Sequence, residues 1–93
     1  MSRLVNMETT SLSGAQIRAA RALLKWSADQ LARKSILGVN TIRRAEATDE
    51  RTSLTAANEL AIRNALEAAG VEFIDENGGG PGVRLRKRQQ KKS

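Results

Sequence analysis

The chain has 93 residues and a formal net charge of +6, from 16 lysines and arginines against 10 aspartates and glutamates. It contains neither cysteine nor histidine, which excludes disulfides and thiolate or imidazole metal sites and removes the usual residues of catalytic proton transfer. No apolar run approaches the roughly 20 residues of a membrane span, and the first dozen residues lack the apolar stretch of a secretion signal. We therefore expect one cytoplasmic domain with no enzymatic activity, no metal and no cofactor.

The excess positive charge falls at the C-terminal end of the sequence. Residues 84–93 hold six basic side chains and no acidic one, whereas the other 83 residues hold ten of each. Such an end is typical of proteins that contact nucleic acid or another polyanion, although it also serves as a solvated tail that aids solubility. We expect a flexible arm over residues 1–11 and a disordered basic tail over residues 87–93.

Two segments have the form of a capping box, the arrangement that begins many helices. In each, a serine hydroxyl can accept a hydrogen bond from the backbone of a glutamine three residues later, whose side chain can reach back. The pairs are Ser13 with Gln16 and Ser27 with Gln30. Gly38 is an acceptable N-cap for a third helix, and a fourth helical stretch follows a polar loop. The expected helices are Gly14–Lys25, Ala28–Ser35, Val39–Ala47 and Leu54–Ala69.

The sequence after the last helix predicts a β-hairpin at the C-terminal end of the chain. Apolar residues of this helix spread beyond one stripe, which indicates contact with another subunit or with a hairpin packed over it. Residues 71–75 and 83–86 have the composition and alternation of strands, and a glycine-rich loop over 76–82 joins them. In the expected pairing, apolar Phe73 lies opposite apolar Leu85, and acidic Glu72 lies opposite basic Arg86. This hairpin, residues 71–86, is a candidate dimerisation element.

The two short helices predicted in the middle of the chain have the pattern of a helix-turn-helix. A tight turn is expected to join them, and the second has polar residues at its N-terminal end, which we expect to be exposed. In this motif the first helix braces against the DNA backbone while the second enters the major groove. The residues from Leu24 to Glu46, LKWSADQLARKSILGVNTIRRAE, resemble the phage-repressor and Cro type, also called the xenobiotic-response-element family. The resemblance covers about Leu12–Phe73, and the ending is similar to that of a bacterial subgroup of small regulators.

The resemblance implies a mainly α, four- to five-helix repressor-like domain over residues 12–70. It further implies a homodimeric repressor, associated with the bacterial nucleoid, that binds double-stranded operator DNA. The residues expected to contact bases are Val39, Asn40, Arg43 and Arg44. Those expected to contact phosphates are Ser27, Lys34, Thr41, Arg88 and Lys91. Arg21 and Glu46 match positions at which the family forms an ion pair between the first and third helices.

Three residues depart from the family pattern. Ala28 stands where a glutamine usually binds phosphate, Ile36 where a glycine usually ends the second helix, and Ala45 where a larger inward side chain is usual. Ala28 cannot supply the phosphate contact of that glutamine side chain, although backbone amides of the second helix could still serve. The other two departures concern the turn and the core, and they predict a domain of moderate stability. Trp26 precedes a capping box, a position typical of a hydrophobic staple in the core and not of stacking on bases.

Two other functions fit the same sequence pattern. A protein-interaction module, such as an antitoxin or an antiactivator, would bind its partner through the apolar stripe of the last helix and the hairpin. A DNA-bending accessory protein of recombination would have little affinity for a single half-site. The salt dependence of binding distinguishes the protein-interaction module from a DNA-binding regulator. A regulator that neutralises about six phosphates should lose several hundred-fold or more in affinity between roughly 50 and 200 mM salt.

Overall fold

The computed structural model of the chain describes residues 11–74 and 79–86. Within these residues it contains four helices and one two-stranded antiparallel sheet. The helices are α1 (Gly14–Leu24), α2 (Ala28–Ser35), α3 (Val39–Glu46) and α4 (Ala56–Ala68), and the strands are β1 (Val71–Ile74) and β2 (Gly82–Leu85). The predicted mainly helical fold with a C-terminal hairpin is confirmed. The expected tail at 87–93, and the expected arm apart from Ser11, lie outside the described residues.

The first two helices begin at the capping boxes that the sequence predicts. The Ser13 hydroxyl accepts from the Gln16 amide at 3.0 Å, and the Gln16 side-chain oxygen accepts from the Ser13 amide at 3.0 Å. Ser27 and Gln30 repeat these two bonds at 3.1 and 2.8 Å. The helix α2 has the predicted bounds, α1 and α3 each end one residue earlier than expected, and α4 is shorter than predicted at both ends.

The core lies among the four helices and the hairpin. Helix α2 packs against α3 and α4, α1 packs against α3 and both strands, and α4 packs against β1. The buried apolar residues are Leu12, Ile17, Ala20, Leu31, Ala32, Ile42, Ala45, Ile62, Leu66 and Val71. Trp26 is half-buried against this cluster, in agreement with the predicted staple. Over residues 11–74 and 79–86, no helix combines the length and the apolar composition of a membrane span.

The start of α1 lies against the end of α3 with almost no space between the two backbones. A Cβ atom on Gly14 would stand 1.9 Å from the carbonyl oxygen of Thr48 and 2.6 Å from that of Ala45. The Gly14 amide also donates to the Glu50 carbonyl at 2.8 Å. The segment 48–52, expected to be only a polar loop, is therefore bonded to the chain where α1 begins.

The strands pair two residues away from the predicted register. The predicted pairs were Phe73 with Leu85 and Glu72 with Arg86. The observed pairs are Val71 with Leu85, Glu72 with Arg84, Phe73 with Val83 and Ile74 with Gly82. Side chains alternate along a strand with a period of two, so a shift of two keeps each residue on its expected face and the pattern cannot distinguish the registers. Arg84 donates to the Glu72 carboxylate at 2.9 Å, and this hydrogen bond lowers the pKa of Glu72.

The hairpin is held by α1 as well as by α4. The side-chain amide of Gln16 in α1 donates to the Gly82 carbonyl at 3.1 Å. On the other helix, the Arg63 guanidinium lies 5.1 Å from the centre of the Phe73 ring, a cation–π distance. The sequence suggested support from α4 or from a second subunit. The contact with α1 was not predicted, because Gln16 was assigned only to the capping box.

Candidate nucleic-acid interface

Helix α3 turns its apolar side into the core and its polar side to solvent. Ile42 and Ala45 are buried, as predicted. Three of the four residues expected to contact bases, Asn40, Arg43 and Arg44, are exposed. The fourth, Val39, is half-buried and packs against the core cluster, so only part of its side chain faces solvent. Thr41, expected to contact a phosphate, is also half-buried.

An ion pair fixes α3 to α1. The Arg21 guanidinium donates to the two carboxylate oxygens of Glu46 at 2.7 and 2.8 Å, and its third contact is the Trp26 carbonyl at 3.0 Å. The Glu46 side chain is only 9% exposed, and that of Arg21 is 24% exposed. Hydrogen bonding to Glu46 raises the pKa of Arg21 still further, so the guanidinium stays charged. Arg21 and Glu46 therefore form the ion pair that was expected between the first and third helices.

A second arginine of α1, whose role was not predicted from the sequence, holds the C-terminal end of α3. Arg18 donates to the carbonyl oxygens of Glu46 and Thr48 at 2.6 and 3.3 Å, and it also pairs with the carboxylate of Asp49. A cation at this end of a helix satisfies carbonyls that have no partner within the helix and complements the helix dipole. The contacts lie 28 to 31 residues apart in sequence, so no local pattern indicated them.

The net positive charge of the described part is concentrated around α3. Residues 33–44, which we term the basic segment, contain four exposed cations and no acidic residue: Arg33, Lys34, Arg43 and Arg44. The described residues together hold eleven basic and seven acidic side chains, so the part outside the basic segment is neutral. Every salt bridge found among the described residues lies outside the segment. The basic segment thus combines exposure, positive charge and the absence of described ion-pair partners.

Four residues outside α3 are expected to contact phosphates. Lys34 is exposed near the end of α2, and its ammonium lies 5.8 Å from the centre of the Trp26 ring. The Ser27 hydroxyl accepts the capping hydrogen bond from Gln30, which leaves its own proton free to donate to an anion. Two others, Arg88 and Lys91, lie outside the described residues. Arg33 was not among the predicted contacts, although it belongs to the basic segment.

The turn between α2 and α3 contains a residue in an unusual conformation. Ile36 ends α2 with φ 60° and ψ 43°, in the left-handed region, and 88% of its surface is exposed. This conformation costs a residue other than glycine about 1–2 kcal/mol, and a β-branched residue adopts it rarely. Glycine would adopt the same backbone geometry without strain. Ile36 therefore ends α2 in a conformation that its side chain disfavours.

The arrangement around α3 is suited to binding a polyanion through hydrogen-bond donors and positive charge. Helix α3 presents Asn40, Arg43 and Arg44 to solvent. Arg18 and Arg21 of α1 bind Glu46, the last residue of this helix. In the part of the chain that the structure describes, no three aspartate or glutamate residues lie together in a way that would hold a metal ion. Comparison of the chain with models of protein families and with curated proteins found no match.

Proposed function

We propose that the protein is a sequence-specific DNA-binding transcriptional regulator of the phage-repressor and Cro type, a repressor that places α3 in the major groove. The observation that supports this best is the basic segment. Its cations are exposed, and none of them forms a salt bridge with an acidic side chain of the described residues. Neutralisation of phosphates by such cations supplies much of the affinity of proteins for DNA.

Sequence preference is assigned to the exposed side chains of α3. Asn40 and Arg44 lie four residues apart, one turn along the helix, and both are exposed. Asparagine forms two hydrogen bonds with adenine in the major groove, and arginine forms two with guanine. A good contact of this kind contributes about 1–3 kcal/mol of discrimination against the wrong base. Arg43 adds a contact with a base or a phosphate.

We propose that two copies bind together on an operator with two half-sites. Two-fold symmetry of such a dimer would place the half-sites about 34–36 Å apart, one turn of the DNA helix. Leu60 on α4 and Leu85 on β2 are exposed apolar side chains available to a second copy. Sedimentation in the presence and absence of DNA is expected to show a dimer. A monomer at micromolar concentration in both conditions would contradict this geometry.

The proposed function is tested by selecting bound duplexes from random DNA and measuring the affinity for the enriched sequence. We expect enrichment of one short motif, repeated with two-fold symmetry. Affinity for it should fall steeply with salt, with a logarithmic slope of about −0.9 for each phosphate neutralised. If no sequence is enriched and the affinity for DNA barely responds to salt, the proposal is wrong. The protein-interaction module would then be the better hypothesis.

Replacement of Arg44 by alanine is expected to weaken binding to the selected operator by about 1–3 kcal/mol and to relax the preference at one base pair. Fluorescence anisotropy on the operator and on random DNA measures both effects. Arg51→Ala is the matched control, because Arg51 is also exposed but lies outside the basic segment. An equal loss for Arg44→Ala on the operator and on random DNA would show that Arg44 contacts only phosphate.

A further inference from the structure

The turn that precedes α3 exposes an isoleucine that the turn itself does not need. Two backbone hydrogen bonds end α2: the Ile36 amide donates to the Arg33 carbonyl at 3.2 Å and the Leu37 amide to the Ala32 carbonyl at 2.9 Å. Glycine could form both bonds, and it would adopt the left-handed conformation without strain. The neighbouring Leu37 packs against the core, whereas Ile36 is 88% exposed. The isoleucine side chain therefore adds strain and exposed apolar surface without contributing to the described core.

Ile36 lies close to the part of α3 that we assign to DNA. Gly38, the N-cap of α3, follows it by two residues, so their Cα atoms are at most about 7.6 Å apart. Around it the basic segment contains four cations and no acid. This positive charge would attract a polyanion more strongly than a protein surface with few acidic residues. We therefore expect a polyanion to cover Ile36. The N-cap itself has no side chain, and a Cβ atom added to it would meet nothing within 4 Å.

Major-groove chemistry offers one apolar partner for such a side chain. The edge of a base pair in this groove presents hydrogen-bond donors and acceptors, and only thymine adds a methyl group, at C5. We propose that Ile36 is a specificity-determining residue whose side chain contacts the C5-methyl group of one thymine in each half-site. This inference rests on the proposed function. It extends the recognition surface from α3 to the preceding turn.

The experiment removes each side of this contact separately. The affinities of the full chain and of the Ile36→Gly variant are measured on the selected operator and on copies in which each thymine in turn is replaced by deoxyuridine. That replacement removes only the methyl group. Burial of one methyl group corresponds to a change in affinity of about 4-fold. We expect one thymine per half-site at which the replacement weakens binding of the full chain by about this factor but does not weaken binding of Ile36→Gly.

The stability of the Ile36→Gly variant shows whether weaker binding results from unfolding of the protein. Ile36→Gly removes the left-handed strain, so its melting temperature should rise by about 5 °C while its affinity for the unmodified operator falls. Ile36→Val keeps a β-branched apolar side chain and should retain most of the sensitivity to deoxyuridine. A loss of affinity together with a higher melting temperature cannot be explained by unfolding.

The following outcomes would overturn the inference. Wild-type affinity of Ile36→Gly for the operator would show that the side chain contacts no part of the DNA. If Ile36→Gly lost the same affinity relative to the full chain on every deoxyuridine operator, the methyl contact would be excluded. Weaker self-association of the variant would instead indicate that Ile36 contacts a second copy. A selection that enriches no sequence would overturn the proposed function first, and the inference with it. If the selection enriches a sequence but the effect of Ile36→Gly is not coupled to any thymine, only the inference about Ile36 is overturned and the proposed function stands.

Discussion

Replacement of Gly14 by alanine is expected to lower the free energy of unfolding by about 3 kcal/mol, a loss of roughly 15 °C in melting temperature for a domain of this size. The added Cβ would stand 1.9 Å from one backbone oxygen and 2.6 Å from another. Neither oxygen can move as a side chain would, so α1 must separate from the end of α3. Thermal unfolding followed by circular dichroism measures the effect.

The separation would also disturb the hydrogen bond from the Gly14 amide to the Glu50 carbonyl. Gly38→Ala is the matched control, because a Cβ atom there meets nothing within 4 Å and the residue has φ −73°, which alanine adopts without strain. We expect that control to change the melting temperature only slightly. Similar melting temperatures for the two variants would mean that the close approach of α1 and α3 is not a constraint in solution.

Replacement of Arg21 by methionine is expected to lower the free energy of unfolding by about 2 kcal/mol. Removing one partner of a buried ion pair costs about 3–5 kcal/mol, because the other charge stays buried without compensation. The value here is smaller, since a quarter of the Arg21 side chain is exposed and solvent screens the pair. The variant also leaves the carboxylate of Glu46 and the carbonyl of Trp26 without this donor. Urea unfolding measures the loss.

A double-mutant cycle assigns the loss to the ion pair. Arg21→Met combined with Glu46→Leu should be less destabilising than the sum of the two single variants, because the double variant leaves no unpaired charge. The exposed pair of Arg84 and Glu72 is the matched control, and its removal should leave the melting temperature unchanged. Additive effects of Arg21→Met and Glu46→Leu would show that the two residues contribute to stability independently.

Under the proposed function, we expect the same pair to affect DNA binding through the position of α3. Glu46 is the last residue of that helix, and both Arg21 and Arg18 of α1 hold it, one through the carboxylate and the other through the carbonyl. Where Arg21→Met remains folded, its affinity for the selected operator should fall while the salt slope stays near that of the wild type, because no phosphate contact is removed. An altered slope would indicate that Arg21 itself meets a phosphate.

Local sequence alone determined where the first two helices begin. The hydrogen bonds of the two capping boxes join residues three apart, so their geometry follows from a few backbone angles and needs no distant partner. Helical periodicity likewise predicted which sides of α3 are buried, with Ile42 inside and Arg43 and Arg44 outside. The bounds of α2 and the existence of the hairpin also followed from patterns of a few residues.

Only the tertiary structure decided which distant residues meet. The hairpin register depends on contacts such as that of Gln16 with Gly82, because a two-residue shift preserves every alternation in the sequence. The roles of Gly14 and Arg18 arise where α1 crosses the end of α3, about thirty residues later in the chain. By pairing most acidic residues of the described part elsewhere, the fold leaves the basic segment as its uncompensated charge. Such contacts are set by how helices pack, and neither composition nor periodicity encodes that packing directly.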